Sequence, residues 1–168
     1  MNKKIIDAPA FPPGFHQSLG HFHGLWLMFD VTLDYSIGKF LRLEHSETHI
    51  LVAGMEFGRK IRLLCELLKH SDHPKKQQLV EQLSILQAAK RDAITHAYVA
   101  SNSTDITFIY RSRGGPYEAK ELRFTYPEFK EHVTTLIEAA QRYQRMLGAP
   151  VEELLSFANT VLSLKKRS

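Results

Sequence analysis

LGHFHGLWLMFDVTLDYSIGKFL, residues 19–41, is the most regular stretch of the chain. Its large apolar side chains recur at steps of three or four residues, at Phe22, Trp26, Phe29, Leu33, Ile37 and Phe40. These steps place them along one side of an α-helix. The pattern predicts a long first helix with one strongly buried face.

Two more helices are predicted downstream of this stretch. The second begins near Ser46, a good N-cap residue, and runs to about His70. Gly54 and Gly58 are spaced within it so that a neighbouring backbone can approach closely. The third carries apolar residues from Leu79 onward and is expected to end around residues 98–101.

The periodicity then changes from helical to alternating. Apolar and polar side chains alternate over residues 106–110 and 122–126, which predicts two strands of a β-hairpin at about 105–126. A hairpin alone is only marginally stable, so this one is expected to lie against the helices. A heptad-like fourth helix follows from Tyr126 to Leu147, and Pro150 opens a final one.

The predicted fold class is therefore mainly α. We expect a bundle of about five helices with a β-hairpin inserted between the third and fourth. Residues 1–18 are expected to be an irregular lead-in, 19–164 a single domain, and 165–168 a basic tail.

The composition narrows the class of protein further. Apolar residues make up 43% of the 168 residues and charged residues 24%, which excludes a mainly disordered chain. No apolar run reaches the length of about 20 residues that a membrane span needs, so no membrane association is expected. The formal net charge of +4 is compatible with a nucleic-acid partner. Neither an export signal nor a second cysteine beside Cys65 is seen, and a cytoplasmic location is expected.

A metal site is not predicted from the nine histidines. His45 and His49 have the spacing of two ligands on one helical face, but no third ligand is identifiable by spacing. His21 and His23 are two residues apart and point to different sides of a helix. We predict neither a metal nor another cofactor.

The end of the predicted third helix, RDAITH at residues 91–96, is the one motif suited to catalysis. It resembles the HEPN superfamily, small helical proteins that carry an Arg, four to six residues and then a His. The resemblance loosely spans residues 19–147 and implies a dimeric helical domain, often a metal-independent endoribonuclease of a toxin or defence system. Other members of that superfamily are non-catalytic modules that bind RNA or a protein.

The resemblance implies roles for three residues. His96 is the expected general acid and base toward a ribose 2′-hydroxyl, Arg91 the expected phosphate clamp, and Asp92 the residue that orients Arg91. Positions five apart in a continuous helix point about 140° away from each other. Convergence therefore requires either that the helix loosens near Thr95 or that a two-fold partner completes the site. In the alternative interpretation Arg91 pairs with a nearby carboxylate and His96 caps the helix.

Basic residues of the hairpin add a second candidate surface. They lie among Tyr110 and Tyr117, an arrangement suited to single-stranded RNA, and are Arg111, Arg113, Lys120 and Arg123. In the alternative interpretation this is an ordinary solvated face, because acidic residues dilute the patch, namely Asp105, Glu118 and Glu121. The leading prediction is metal-independent RNA cleavage by a homodimer, with RNA and a cognate antitoxin or other protein as partners. The alternative is a non-catalytic helical dimer that binds RNA or a protein.

Overall fold

A computed structural model of the chain describes residues 11–102, 104–111 and 118–164. These residues form seven α-helices and one three-stranded antiparallel sheet of order β1-β2-β3. The elements are α1 (Phe15–Leu41), α2 (His45–Val52), α3 (Phe57–Lys69), α4 (Lys76–Gln87), α5 (Arg91–Thr95), β1 (Tyr98–Ser101), β2 (Asp105–Arg111), β3 (Ala119–Thr125), α6 (Tyr126–Leu147) and α7 (Val151–Leu164). The mainly α class is confirmed. Within the described ranges, none of the helices is long and apolar enough to cross a membrane.

The predicted face of α1 is buried. From Phe22 to Ile37, the five large apolar residues of the stripe keep at most 4% of their surface exposed. The helix begins at Phe15, so residues 15–18 of the expected lead-in are helical. The reason is a turn in which the Phe15 N–H donates to the Pro12 carbonyl, and the buried Phe15 ring stacks on Phe11.

The chain divides into two compact units. Of the described residues, the first unit contains 11–23, 90–102, 104–111 and 118–134, and the second contains 24–89 and 135–164, so that α1 and α6 each contribute to both. In the first unit, the inner face of the sheet packs on aromatic residues of the two helices. Phe15, Phe108, Phe124 and Phe129 form this cluster, with ring centroids 5.4–6.5 Å apart in each contact.

The second unit is helical. α3 packs on α4 and α2 on α7, around buried leucines and aromatic rings. The Tyr143 ring of α6 lies edge-on to Phe29 of α1 at 5.5 Å, and both rings are at most 2% exposed. The regular apolar spacing of α1, α3 and α4 accounts for this core, because each helix turns one face inward.

The predicted second helix is instead two helices, α2 and α3. Gly54 adopts a left-handed φ of +76°, the N–H of Met55 turns back to the Val52 carbonyl, and Glu56 then caps α3. A Cβ at Gly54 would meet no neighbouring atom. The glycine therefore serves the turn, because it adopts a positive φ without steric cost, and its predicted role in close backbone packing is wrong.

The predicted third helix is also shorter than expected. α4 ends at Gln87, Lys90 has a left-handed φ of +55°, and the five-residue helix α5 follows. Residues 98–101, expected at the end of this helix, form strand β1. Pairing with β2 supplies tertiary hydrogen bonds that local helical periodicity does not reveal. The hairpin at about 105–126 and the helices beginning near Tyr126 and Pro150 agree with the predicted positions.

Candidate functional site

The motif RDAITH occupies α5 and the residue that follows it. α5 is anchored by Ala93 and Ile94, which are 7% and 3% exposed, and it packs on β2. At its end the backbone N–H of His96 donates to the carbonyl of Asp92, so His96 is the C-cap residue. The local sequence thus places the two ends of the motif at the two ends of a short, fixed helix.

The three candidate catalytic residues differ in exposure. Arg91 is half-buried, whereas Asp92 and His96 are exposed. Because a helix rises 1.5 Å and turns 100° per residue, His96 lies about 7.5 Å along the axis from Arg91 and about 140° around it. Residues 91–95 are helical, one break precedes Arg91, and the helix ends at Thr95, because His96 has non-helical dihedral angles (φ −111°, ψ 14°). Convergence of an Arg91 and a His96 through a second copy of the chain stays a prediction.

The basic residues of the hairpin fall on both faces of the sheet. Ile106 and Phe108 define the inner face, and the register puts Arg111 and Arg123 on the opposite, outer face. Lys120 pairs with Tyr110 on the inner side near the end of the strand, where it remains exposed and lies 3.8 Å from the Glu118 carboxylate. Arg113 lies outside the described residues.

Arg123 is already engaged by an acidic neighbour. Its Nε and Nη2 donate to one oxygen of Glu121 at 3.0 and 2.6 Å. Both side chains are exposed, and surface pairs of this kind are weak. A phosphate would therefore compete with Glu121 for Arg123.

Tyr98 is the aromatic residue that the sequence interpretation missed. It is the first residue of β1, shares the outer face with Arg111 and Arg123, and is 76% exposed. Of the two tyrosines predicted to lie among the basic residues, Tyr110 is half-buried on the inner side and Tyr117 lies outside the described residues. β1 is only four residues long, so no periodicity in the sequence marks it as a strand or identifies Tyr98.

The opposite end of the sheet is acidic and polar. A cavity of about 350 Å³ there is lined by residues that include Asp105, Arg123 and Glu128. The Thr125 backbone N–H and hydroxyl donate to the Glu128 carboxylate at 2.7 and 2.9 Å, and these bonds lower the pKa of Glu128. Glu128 is thereby committed to capping the start of α6.

A buried ionic cluster in the second unit was also missed. The Lys60 ammonium, in a side chain only 6% exposed, lies 3.1 Å from Asp30 and 2.7 Å from Asp34. Burial raises the pKa of Asp34 and Lys60 opposes that rise. The two carboxylates are four residues apart on α1, a spacing that puts them on one face of the helix.

The spacing of His45 and His49 serves packing. His49 Nε2 lies 2.8 Å from the Phe157 carbonyl oxygen and its ring stacks on Phe157, which His45 contacts edge-on. Across the described part of the chain, no three His, Cys, Asp or Glu side chains are grouped so that they could hold a metal ion. Comparison of the chain with protein-family models, curated proteins and solved structures finds no match.

Proposed function

We propose that this protein is a cytoplasmic, metal-independent endoribonuclease of HEPN type that acts as a homodimer. The observation that carries the proposal is the isolation of the Arg91–His96 motif in α5. A helix break separates it from α4, two buried side chains anchor it, and His96 is left exposed at its end. An exposed imidazole on a fixed element is accessible to a substrate and held in a defined position.

The chemistry assigned to the motif needs no metal. His96 accepts the proton of a ribose 2′-hydroxyl, and the 2′-oxygen attacks the adjacent phosphorus. The P–O5′ bond breaks, which leaves a 2′,3′-cyclic phosphate and a 5′-hydroxyl that receives a proton from an imidazolium. Arg91 neutralises the charge that builds on the phosphate, and Asp92 orients Arg91. We assign the clamp and the base to two copies of the chain, because positions five apart along an ideal helix are separated by about 140°.

Variants at both ends of the motif test the proposal. We expect His96→Ala to reduce cleavage of a mixed single-stranded RNA by about 10²–10⁴-fold, the usual size of a general acid–base contribution. Arg91→Lys is expected to impair cleavage as well, since an ammonium cannot reproduce the two parallel contacts of a guanidinium. A chelator is expected to have no effect.

The matched control is His70→Ala. His70 is also an exposed C-cap residue, at the end of α3, so its replacement reports the cost of losing a helix-end histidine. Equal melting temperatures for the two alanine variants, with cleavage lost only in His96→Ala, would support catalysis. Wild-type protein that leaves RNA intact, or equal cleavage by His96→Ala, would refute it.

A second candidate function is a non-catalytic homodimeric module that binds RNA or a protein such as a cognate antitoxin. Two observations favour it, namely the half-burial of Arg91 and the 140° between the two side chains in one chain. It requires RNA or protein binding without any cleavage product. The same experiment separates the two candidates, provided that RNA binding is recorded beside cleavage.

A further inference from the structure

The outer face of the three-stranded sheet presents one large aromatic ring, that of Tyr98. Tyr98 on β1 is paired with Ile109 on β2, which in turn is paired with Glu121 on β3. The next residue of β1 on this face is Ala100, which carries only a methyl group. Its neighbours thus leave the Tyr98 ring 76% exposed.

Exposure of a tyrosine ring on a flat sheet has a specific chemical use. A nucleic-acid base has an apolar face that it can stack on such a ring, and single strands offer their bases for this purpose whereas duplexes do not. Tyrosine loses little side-chain freedom on binding because only two torsions are ordered. The position is therefore suited to a base of a single strand.

Two arginines, Arg111 and Arg123, share the outer face with Tyr98. With strands about 4.8 Å apart and a rise of about 3.3 Å per residue, the Cα atom of Arg111 lies about 8 Å from that of Tyr98. Arg123, one row away on the far strand, lies about 12 Å from Tyr98 by the same reckoning. Arg111 is the nearer of the two to Tyr98, so we assign the phosphate next to the stacked base to Arg111.

The distribution of charge along the sheet also indicates where the RNA strand would bind. Arg111 lies on the outer face at the end of the sheet where His96 leads into β1, and Lys120 lies at the same end on the inner side beside Glu118. Asp105 and Glu128 lie at the other end. A polyanion is attracted to the first end and repelled by the second. A strand stacked on Tyr98 would thus follow the sheet toward His96.

We propose that the outer sheet face binds single-stranded RNA, with one base stacked on Tyr98 and an adjacent phosphate on Arg111. This inference rests on the proposed ribonuclease function, because it takes the bound RNA to be the substrate of the Arg91–His96 site and identifies that substrate as unpaired RNA. It makes Tyr98 a binding residue for the strand that His96 cleaves.

The test is a binding measurement in a protein that cannot cleave. Full-length His96→Ala protein is titrated into a fluorescein-labelled 12-nucleotide RNA of mixed sequence, and into its duplex, while fluorescence anisotropy is recorded. We expect the single strand to bind more tightly than the duplex. Adding Tyr98→Ala is expected to weaken single-strand binding by about tenfold or more, whereas Tyr98→Phe retains the affinity because the ring can still stack.

Two further variants calibrate the measurement. Arg111→Ala is expected to weaken binding and to flatten its dependence on salt, because one phosphate contact is lost. Ile50→Ala is the control, since it removes a 70% exposed apolar side chain from α2, in the other unit, and is expected to change nothing. Circular dichroism melting of each variant establishes that it is folded.

Failure of the inference is distinguishable from failure of the proposed catalysis. Affinity that is unchanged in Tyr98→Ala, equal or tighter binding of the duplex, or no RNA binding at all would overturn the sheet platform. A change of oligomeric state in Tyr98→Ala at unchanged affinity would also overturn it and assign the ring to a contact between copies. Binding that depends on Tyr98, beside wild-type protein that cuts no RNA, would support the platform and refute the catalysis.

Discussion

Replacing Lys60 by methionine removes the ammonium that contacts both Asp30 and Asp34 while keeping most of the length of the side chain. The ammonium contacts Asp34 at 2.7 Å and Asp30 at 3.1 Å. At an effective dielectric constant of about 20, Coulomb's law gives each contact about 5–6 kcal/mol of attraction before the loss of hydration is counted. Desolvation of the three groups offsets most of this attraction.

The net effect of removing one partner of a buried pair is typically 3–5 kcal/mol, because the remaining charge has no compensation. Here the Asp30 carboxylate is 41% exposed and can regain water, whereas that of Asp34 is only 15% exposed. We therefore expect Lys60→Met to lower the free energy of unfolding by about 2–4 kcal/mol at pH 7, measured by urea unfolding followed by circular dichroism.

The loss is expected to shrink as the pH falls. Burial already raises the pKa of Asp34, and removing Lys60 removes the charge that opposes this rise. An acid whose pKa is raised on folding binds more protons in the folded state, so stability is lost as the pH rises from its unfolded pKa through its folded pKa. On acidification, Asp34 takes up its proton at a higher pH in the variant than in the wild type. The difference in the free energy of unfolding between the two proteins therefore becomes smaller.

Two further proteins make this reasoning refutable. Lys69→Met, on the same helix, removes an exposed cation and its surface pair with Glu66, and is expected to leave stability unchanged. Adding Asp34→Asn to Lys60→Met should restore part of the lost stability, because the uncompensated charge is removed. A loss below about 0.5 kcal/mol at pH 7, or one that grows on acidification, would contradict the account.

Other expectations concern α1. Alanine at Gly38 would collide with the Thr48 side chain and is expected to cost about 1–3 kcal/mol of stability. Alanine at the helical Gly20, where a Cβ meets no neighbouring atom, is expected to stabilise the protein by about 0.5–1 kcal/mol. Urea unfolding of both variants measures this contrast, and equal effects would contradict it. Leu27 and Met28 are 75% and 60% exposed, which is unusual for apolar residues on a helix that is otherwise well packed. We expect a dimer by light scattering and a monomer when both are changed to Asp, whereas wild-type protein that shows only the 19.3 kDa species would exclude the dimer.

Much of the helical architecture was readable from local spacing. The stripe of α1 and the seam of α6 repeat at the helical period, and their members from Phe22 to Ile37 and from Phe129 to Leu147 are buried. An alternating pattern likewise located β2 and β3, since side chains of a strand alternate between core and solvent. Such patterns are local consequences of burying one face, so they need no knowledge of what the face is buried against.

The interruptions of the predicted second and third helices could not be predicted from local spacing. Gly54 lies in an otherwise helical pattern and Lys90 has no residue-type signal for a left-handed conformation, yet each interrupts a helix. A single positive φ is decided by the packing of the segments on either side, which outweighs the helical propensity of the intervening residues. For this reason the separation of Arg91 and His96 from α4 emerged only from the folded chain.

Composition and spacing in the sequence were enough to predict the helical class, to locate the hairpin and to identify the motif RDAITH, because these depend on neighbours within a few residues. The pairing of β1 with β2, the exposure of Tyr98 beside Arg111, and the meeting of Lys60 with Asp30 and Asp34 depend on residues distant in the chain. Lys60 lies 30 residues from Asp30, and β1 is too short to show a period. Long-range contacts of this kind arise from packing, which no local pattern encodes.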